Sequence, residues 1–182
     1  ECPWERSMKT AVVSGAFGFA GANLVERLLD DDYVVYAIGR NGSTHNDRFK
    51  ASKRLKIRFM NMDEYDNVAS ELDSEDVCGK DVFFFHLSWG GQRDDFDAQL
   101  KNIDGALKFM DSAIYLKEKA KKVCFVGIGS QAEYGRKEDV YELDEKALLE
   151  PFSAYGSAKA AAYYLLKNKA KLSEIRDRKS TR

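Results

Sequence analysis

Proline is almost missing from this chain. Only Pro3 and Pro151 occur among 182 residues, and no low-complexity linker divides them. Cysteine is just as scarce. Cys2, Cys78 and Cys124 are odd in number, far apart and without a Cys-x-x-Cys pair, which excludes a disulfide framework and a zinc site and implies a reducing compartment. The only histidines are His45 and His86, with no third ligand at a plausible spacing, so no metal is expected. Neither sign of charge prevails. The net charge of -1 excludes a global basic field for nucleic acid or an anionic membrane. No apolar run approaches the ~18 residues of a membrane span, and residues 1–7 are polar with no apolar stretch after them to make a signal peptide. A cytoplasmic location follows. Met8 reads as a natural start after a seven-residue leader. Apolar periodicity stops after Lys171, so residues 173–182 read as a truncated or foreign tail.

Apolar residues, by contrast, are plentiful. The chain is 44% hydrophobic with 11 Phe and 9 Tyr, enough for one domain with a substantial core. Short runs at 11–13, 34–38, 55–60, 82–87 and 123–128 have strand length, and several are apolar without alternation, as in strands covered on both faces. Helical segments lie between them at 20–29, more weakly at 64–72, at 94–116 and at 152–172, the last beginning beside Pro151. Along 94–116, Phe96, Leu100, Ile103, Leu107, Met110 and Ile114 form an apolar seam. Burial against the sheet and a dimer interface explain that seam equally well. Strand-helix alternation predicts an α/β fold, a doubly wound parallel sheet of five strands over residues 8–172.

Two motifs carry chemistry. The first is the turn Gly15-Ala16-Phe17-Gly18-Phe19-Ala20-Gly21 between the first strand and first helix. Small residues there let the backbone approach a diphosphate, and the helix N-terminus supplies unpaired N–H groups and partial positive charge. The second is Tyr155 and Lys159, about one helical turn apart and therefore on one face. A phenol reaches neutrality only with a shift of about 3 units, roughly 4 kcal/mol, which one cation ~4 Å away supplies at an effective dielectric near 20. Alone, the pair would be a solvated surface pair; with the glycine turn it points to proton and hydride chemistry.

Ser14 to Gly21 resembles the Thr-Gly-x-x-Gly-x-x-Gly opening of extended short-chain dehydrogenases/reductases, the NAD(P)-dependent epimerase/dehydratase family, with Ser14 in place of the usual Thr. Further segments match in order from Met8 to about Leu172. The resemblance implies a Rossmann fold and assigns Asp63 to the adenine, Leu87 and Ser88 to the strand end beneath the cofactor, Asn102 to the nicotinamide-side ribose and Ser130 to the active-site serine. It completes the set with Tyr155-x-x-x-Lys159. It also implies a sixth strand and a C-terminal substrate domain, neither recognisable after Leu172.

On the family pattern, Gly39 stands where an acidic residue would bind the adenosine ribose of NAD, and Arg40 follows. That exchange suits the 2'-phosphate of NADP, so NADP is favoured within NAD(P); a solvated loop arginine is the alternative. Gln131 and Ala132 replace the Asp-Glu pair of sugar-nucleotide 4,6-dehydratases, and Glu133, one place later, reads as structural. The resemblance therefore implies an epimerase or oxidoreductase for a nucleotide-linked sugar, with a homodimer as a further expectation. A non-catalytic NAD(P) sensor and an inactive fragment remain the alternatives. Trp89 either lines the active site or merely turns the chain into the long helix.

Overall fold

The computed structural model describes residues 8–43, 48–136, 143–144 and 146–180, with backbone only for 176–180. Residues 1–7, His45 and Cys2 lie outside these. Among the described residues, six strands form one sheet: β1 (Thr10–Ser14), β2 (Val34–Gly39), β3 (Leu55–Phe59), β4 (Asp81–His86), β5 (Lys122–Ile128) and β6 (Arg176–Ser180). All pair in parallel, in the order β3-β2-β1-β4-β5-β6. This is the doubly wound arrangement expected, with one correction to the count of five. The polar stretch Arg176–Ser180 pairs with β5 through Cys124↔Arg176 to Ile128↔Ser180. An edge strand held by its backbone needs no apolar alternation, which is why periodicity did not reveal it.

Among the described residues, four α-helices link the strands: α1 (Phe19–Asp30), α2 (Ser74–Val77), α3 (Phe96–Tyr115) and α4 (Ala154–Leu172). The weak helix expected at 64–72 is a 3-10 segment, Met62–Glu71, opened by a reciprocal cap between Asn61 and Glu64. Alternate residues of β1 feed two cores. Val12 joins Tyr36, Phe84, Phe109 and Phe125 beneath α3 and α4. Ala11 and Val13 join Val25, Leu28 and Ala37 beneath α1. β1 and β2 are buried throughout, as their unbroken apolar runs require.

The α3 seam does not pack as a unit. Met110 is fully buried, while Phe96 and Leu100 are 70% and 63% exposed. The sheet is covered instead by the face carrying Asn102, Ala106, Phe109 and Ala113. Burial against the core therefore explains Ile103, Leu107, Met110 and Ile114, and leaves Phe96 and Leu100 unexplained.

The order reverses between β1 and β4. Their last residues, Ser14 and His86, lie in register. At such a reversal the connections leave toward opposite faces and open a crevice at the strand ends.

Candidate active site

Four residues, Gly15 to Gly18, separate the end of β1 from the start of α1. A Cβ on Gly21 would lie 2.1 Å from the Gly15 carbonyl oxygen, so the helix can meet the turn this closely only with glycine there. Gly18 is the N-cap of α1; among the described residues no side chain caps the helix and no acid occupies its first turn. The first N–H groups and the positive end of the helix dipole thus face the turn with no side-chain anion competing. That is a cradle for a diphosphate.

The turn forms one wall of a cleft of about 680 Å³, which Gly15, Phe17, Gly18, Arg40, Asp63, Leu87 and Ser88 also line. Phe19 and Ala20 are the first two residues of α1, both exposed and outside that wall. Phe17 packs against Phe49 and Phe59, at ring separations of 5.3 and 5.9 Å. Its ring fills the space a side chain at position 39 would need, since a Cβ on Gly39 would sit 2.5 Å from it. The residues present therefore fit a dinucleotide.

Below the cleft floor, the strand ends are locked together. The Ser14 hydroxyl accepts from the Leu87 and Ser88 amides at 3.2 and 3.4 Å. Its one proton is left for His86 Nδ1 at 2.9 Å. His86 is 3% exposed, and burial first, then the charge of Lys159, push its pKa down to about 3. It is neutral, with the remaining proton on Nε2. Tyr65, which the sequence did not single out, lines the cleft and hydrogen-bonds Ser88 Oγ at 2.7 Å. Nothing in its polar 3-10 segment signals that role.

Asn102 takes a different position from the other expected cofactor residues. It is 1% exposed, accepts from the Gly90 amide at 2.9 Å and donates to the Gly90 carbonyl at 2.8 Å. With Gln99, which accepts from Trp89 Nε1 at 2.8 Å, it fixes the segment after β4.

That segment aims Trp89 at the far end of the site. Lys159 Nζ lies 3.7 Å from the centre of the Trp89 ring and donates to the Ile128 carbonyl at 2.9 Å. Of the two readings of Trp89, the site-lining one holds. Lys159 is 7% exposed, and burial brings its pKa down from 10.5 to about 8, with the negative charge of Glu133 acting the other way. Tyr155 stands one turn back on α4, its ring edge-on to Trp89 at 6.2 Å and 6.0 Å from the ammonium. A charge at that distance interacts with a developing phenolate by about 3 kcal/mol at an effective dielectric near 20.

The turn after β5 is brought beside α4 by Gly156, whose Cβ would be 2.5 Å from the Ala132 carbonyl oxygen. Ser130 begins this turn, its hydroxyl accepting from the Ala132 amide at 3.2 Å. Glu133, fully buried, accepts from the Ser130 amide at 2.7 Å. Ser130, Tyr155 and Lys159 are thus gathered on adjoining elements.

A family model described as the NAD dependent epimerase/dehydratase family matches residues 11–176. The chain belongs to this family. A GDP-mannose 4,6-dehydratase of Sinorhizobium fredii (strain HH103) is 24% identical over 172 residues, 88% of this chain and 48% of that protein. Solved epimerase/dehydratase-like structures share the fold at low identity. The Bordetella bronchiseptica enzyme WbmG in complex with NAD superposes with a TM-score of 0.77 at 16% identity, over 98% of this chain and 54% of its own. A UDP-glucose 4-epimerase with UDP-glucose from Thermotoga maritima gives 0.76 at 18%, over 93% and 54%. The chain therefore spans about half the length of these relatives. No helix among its described residues is long and apolar enough to cross a membrane.

Proposed function

We propose that this chain is the cofactor-binding, catalytic half of an NAD(P)-dependent epimerase or oxidoreductase for a nucleotide-linked sugar. The observation that carries the reading is Lys159, a buried ammonium pinned between Trp89 and the Ile128 carbonyl, one helical turn from Tyr155. The uncapped start of α1 would hold the diphosphate, while Leu87 and Ser88 would floor the nicotinamide end of the cleft. When bound, the nicotinamide accepts and returns a hydride at the substrate carbon. Tyr155 takes the proton of the substrate hydroxyl on that carbon and gives it back in the reverse direction. The Lys159 charge stabilises the phenolate so formed, and Ser130 donates to the substrate oxygen and orients it.

Arg40 on the cleft wall, beside a Gly39 that offers no carboxylate, supports NADP over NAD. The outward-facing Phe96 and Leu100 support a homodimer built on α3. Because the chain spans half the length of its relatives, the second reading is a protein that binds dinucleotide without turnover.

Titration with NADPH and NADH, followed by nicotinamide fluorescence, separates these readings. NADPH is expected to bind at least tenfold more tightly, and Arg40→Ala to erase that difference, because a charge-assisted contact contributes ~1.5–3 kcal/mol. Oxidation of bound cofactor by a panel of keto-sugar nucleotides, abolished in Tyr155→Phe, is expected for the enzyme. Binding without any oxidation would leave the sensor reading, and binding of neither dinucleotide would refute both.

A further inference from the structure

Behind the site lies a small recess of about 30 Å³, walled by His86, Trp89, Gly127, Glu133, Lys159 and Leu166 among others. It is large enough for a water molecule, and four of its lining residues, His86, Glu133, Lys159 and Tyr163, are titratable. His86 Nε2 is buried there with no partner among the described residues, because Ser14 has claimed the other ring nitrogen. Glu133 is the one carboxylate on the wall. Its carboxylate is fixed by the Ser130 amide, so its charge is anchored to the backbone and not to a mobile loop.

The titratable groups around Lys159 can be named. His86 faces it from β4, Glu133 from the turn after β5, and Tyr155 and Tyr163 from its own helix. Arg93 lies beyond, over the Tyr155 ring at 5.9 Å, and Trp89 closes the remaining side. Of these, burial keeps His86 neutral. Among the described residues, Glu133 supplies the one carboxylate on this wall. Without it, Lys159 would face burial with a carbonyl and an indole ring as its support.

We propose that Glu133 is a positioning residue for the reaction: across this cavity its buried carboxylate holds Lys159 as an ammonium, so that the cation next to Tyr155 persists at working pH. The residue otherwise reads as a turn cap. The cap is real, yet a cap needs only an acceptor oxygen, whereas this role needs a charge. The inference rests on the reading of Lys159 as the cation of the site.

The test uses Glu133→Gln, which keeps an acceptor oxygen for the Ser130 amide and removes only the charge. Lysine Cε resonances of the 182-residue chain labelled with 13C-lysine are followed across pH 5–11. Lys159 is expected to titrate near 8 in the parent protein. It is expected to fall by one unit or more in the variant, which raises its free-amine fraction, and its acylation rate at pH 7, about fivefold. An unmoved titration overturns the proposal. Should the variant not fold, the parent protein still decides. The Glu133 carboxyl resonance is expected to step at the pH where Lys159 titrates, and a flat trace through that pH is equally fatal. NADPH and NADH binding measured on the same preparations keeps the outcomes apart, since failure of the parent to bind either would sink the functional reading without moving the lysine titration.

Discussion

Replacing Lys159 by methionine is expected to stabilise the protein while disabling its chemistry. The ammonium is 7% exposed and its pKa falls from 10.5 to about 8, mainly because burial penalises the charged form. Folding with that charge at pH 7 therefore costs about 3 kcal/mol. Methionine keeps the apolar stem against Trp89 but gives up the hydrogen bond to the Ile128 carbonyl, worth about 1 kcal/mol, and the attraction of a cation to the indole. A net gain of about 1–2 kcal/mol at pH 7 is expected. The sign follows from proton counting. Between pH 8 and 10.5 the unfolded chain keeps a proton that the folded chain has released, so the parent protein gains stability as pH rises through that window. The advantage of the variant should shrink over the same range. Urea denaturation at pH 7 and pH 10 reads both effects. A parent protein more stable than the variant at pH 7, or a difference unchanged at pH 10, would refute the assignment of Lys159 as a buried, destabilising cation.

Gly21→Ala places a methyl 2.1 Å from a carbonyl oxygen, and should cost about 1–3 kcal/mol in urea melts and abolish NADH binding, since the turn must open to admit it. His86 has a folded pKa of about 3, below its ordinary 6.5, so the unfolded state alone is protonated between those values. Stability should fall by up to about 4–5 kcal/mol as pH drops from 6.5 to 3, and His86→Leu should flatten that limb in denaturant titrations across the same range. Changing Phe96 and Leu100 together to serine should lower the sedimentation coefficient from that of a dimer to that of a monomer, with the melting temperature of the isolated fold little changed because both side chains are exposed.

The parts of the fold that were legible are those whose signal is local. β1 and β2 are buried on both faces and so spell unbroken apolar runs. The glycine turn is legible because close backbone approach leaves glycine as the one choice. The helical spacing of Tyr155 and Lys159 survives because both stand on α4. What was missed depends on partners distant in sequence. β6 is polar and is recruited through backbone pairing with β5. Only Phe96 and Leu100, at the start of the α3 seam, face outward, because the helix meets the core mainly through its later turns and through small residues and Phe109, a placement set by the neighbouring layer. The side-chain amide of Asn102 meets Gly90, a contact that exists only once the chain after β4 is folded. The placement of Trp89 over Lys159 joins residues 70 positions apart, and no spacing rule reports it.

The missing side chain at position 39 sets a limit on redesign. An engineer seeking to exchange the dinucleotide preference would install an aspartate there. Its first carbon would strike the ring of Phe17, which is held in turn by Phe49 and Phe59 and whose carbonyl accepts from Arg48 at 3.0 Å. Position 39 and the anchoring of the glycine turn are therefore one mechanical unit. Altering the first requires rebuilding the second, with a smaller residue at 17 as the obligatory companion change.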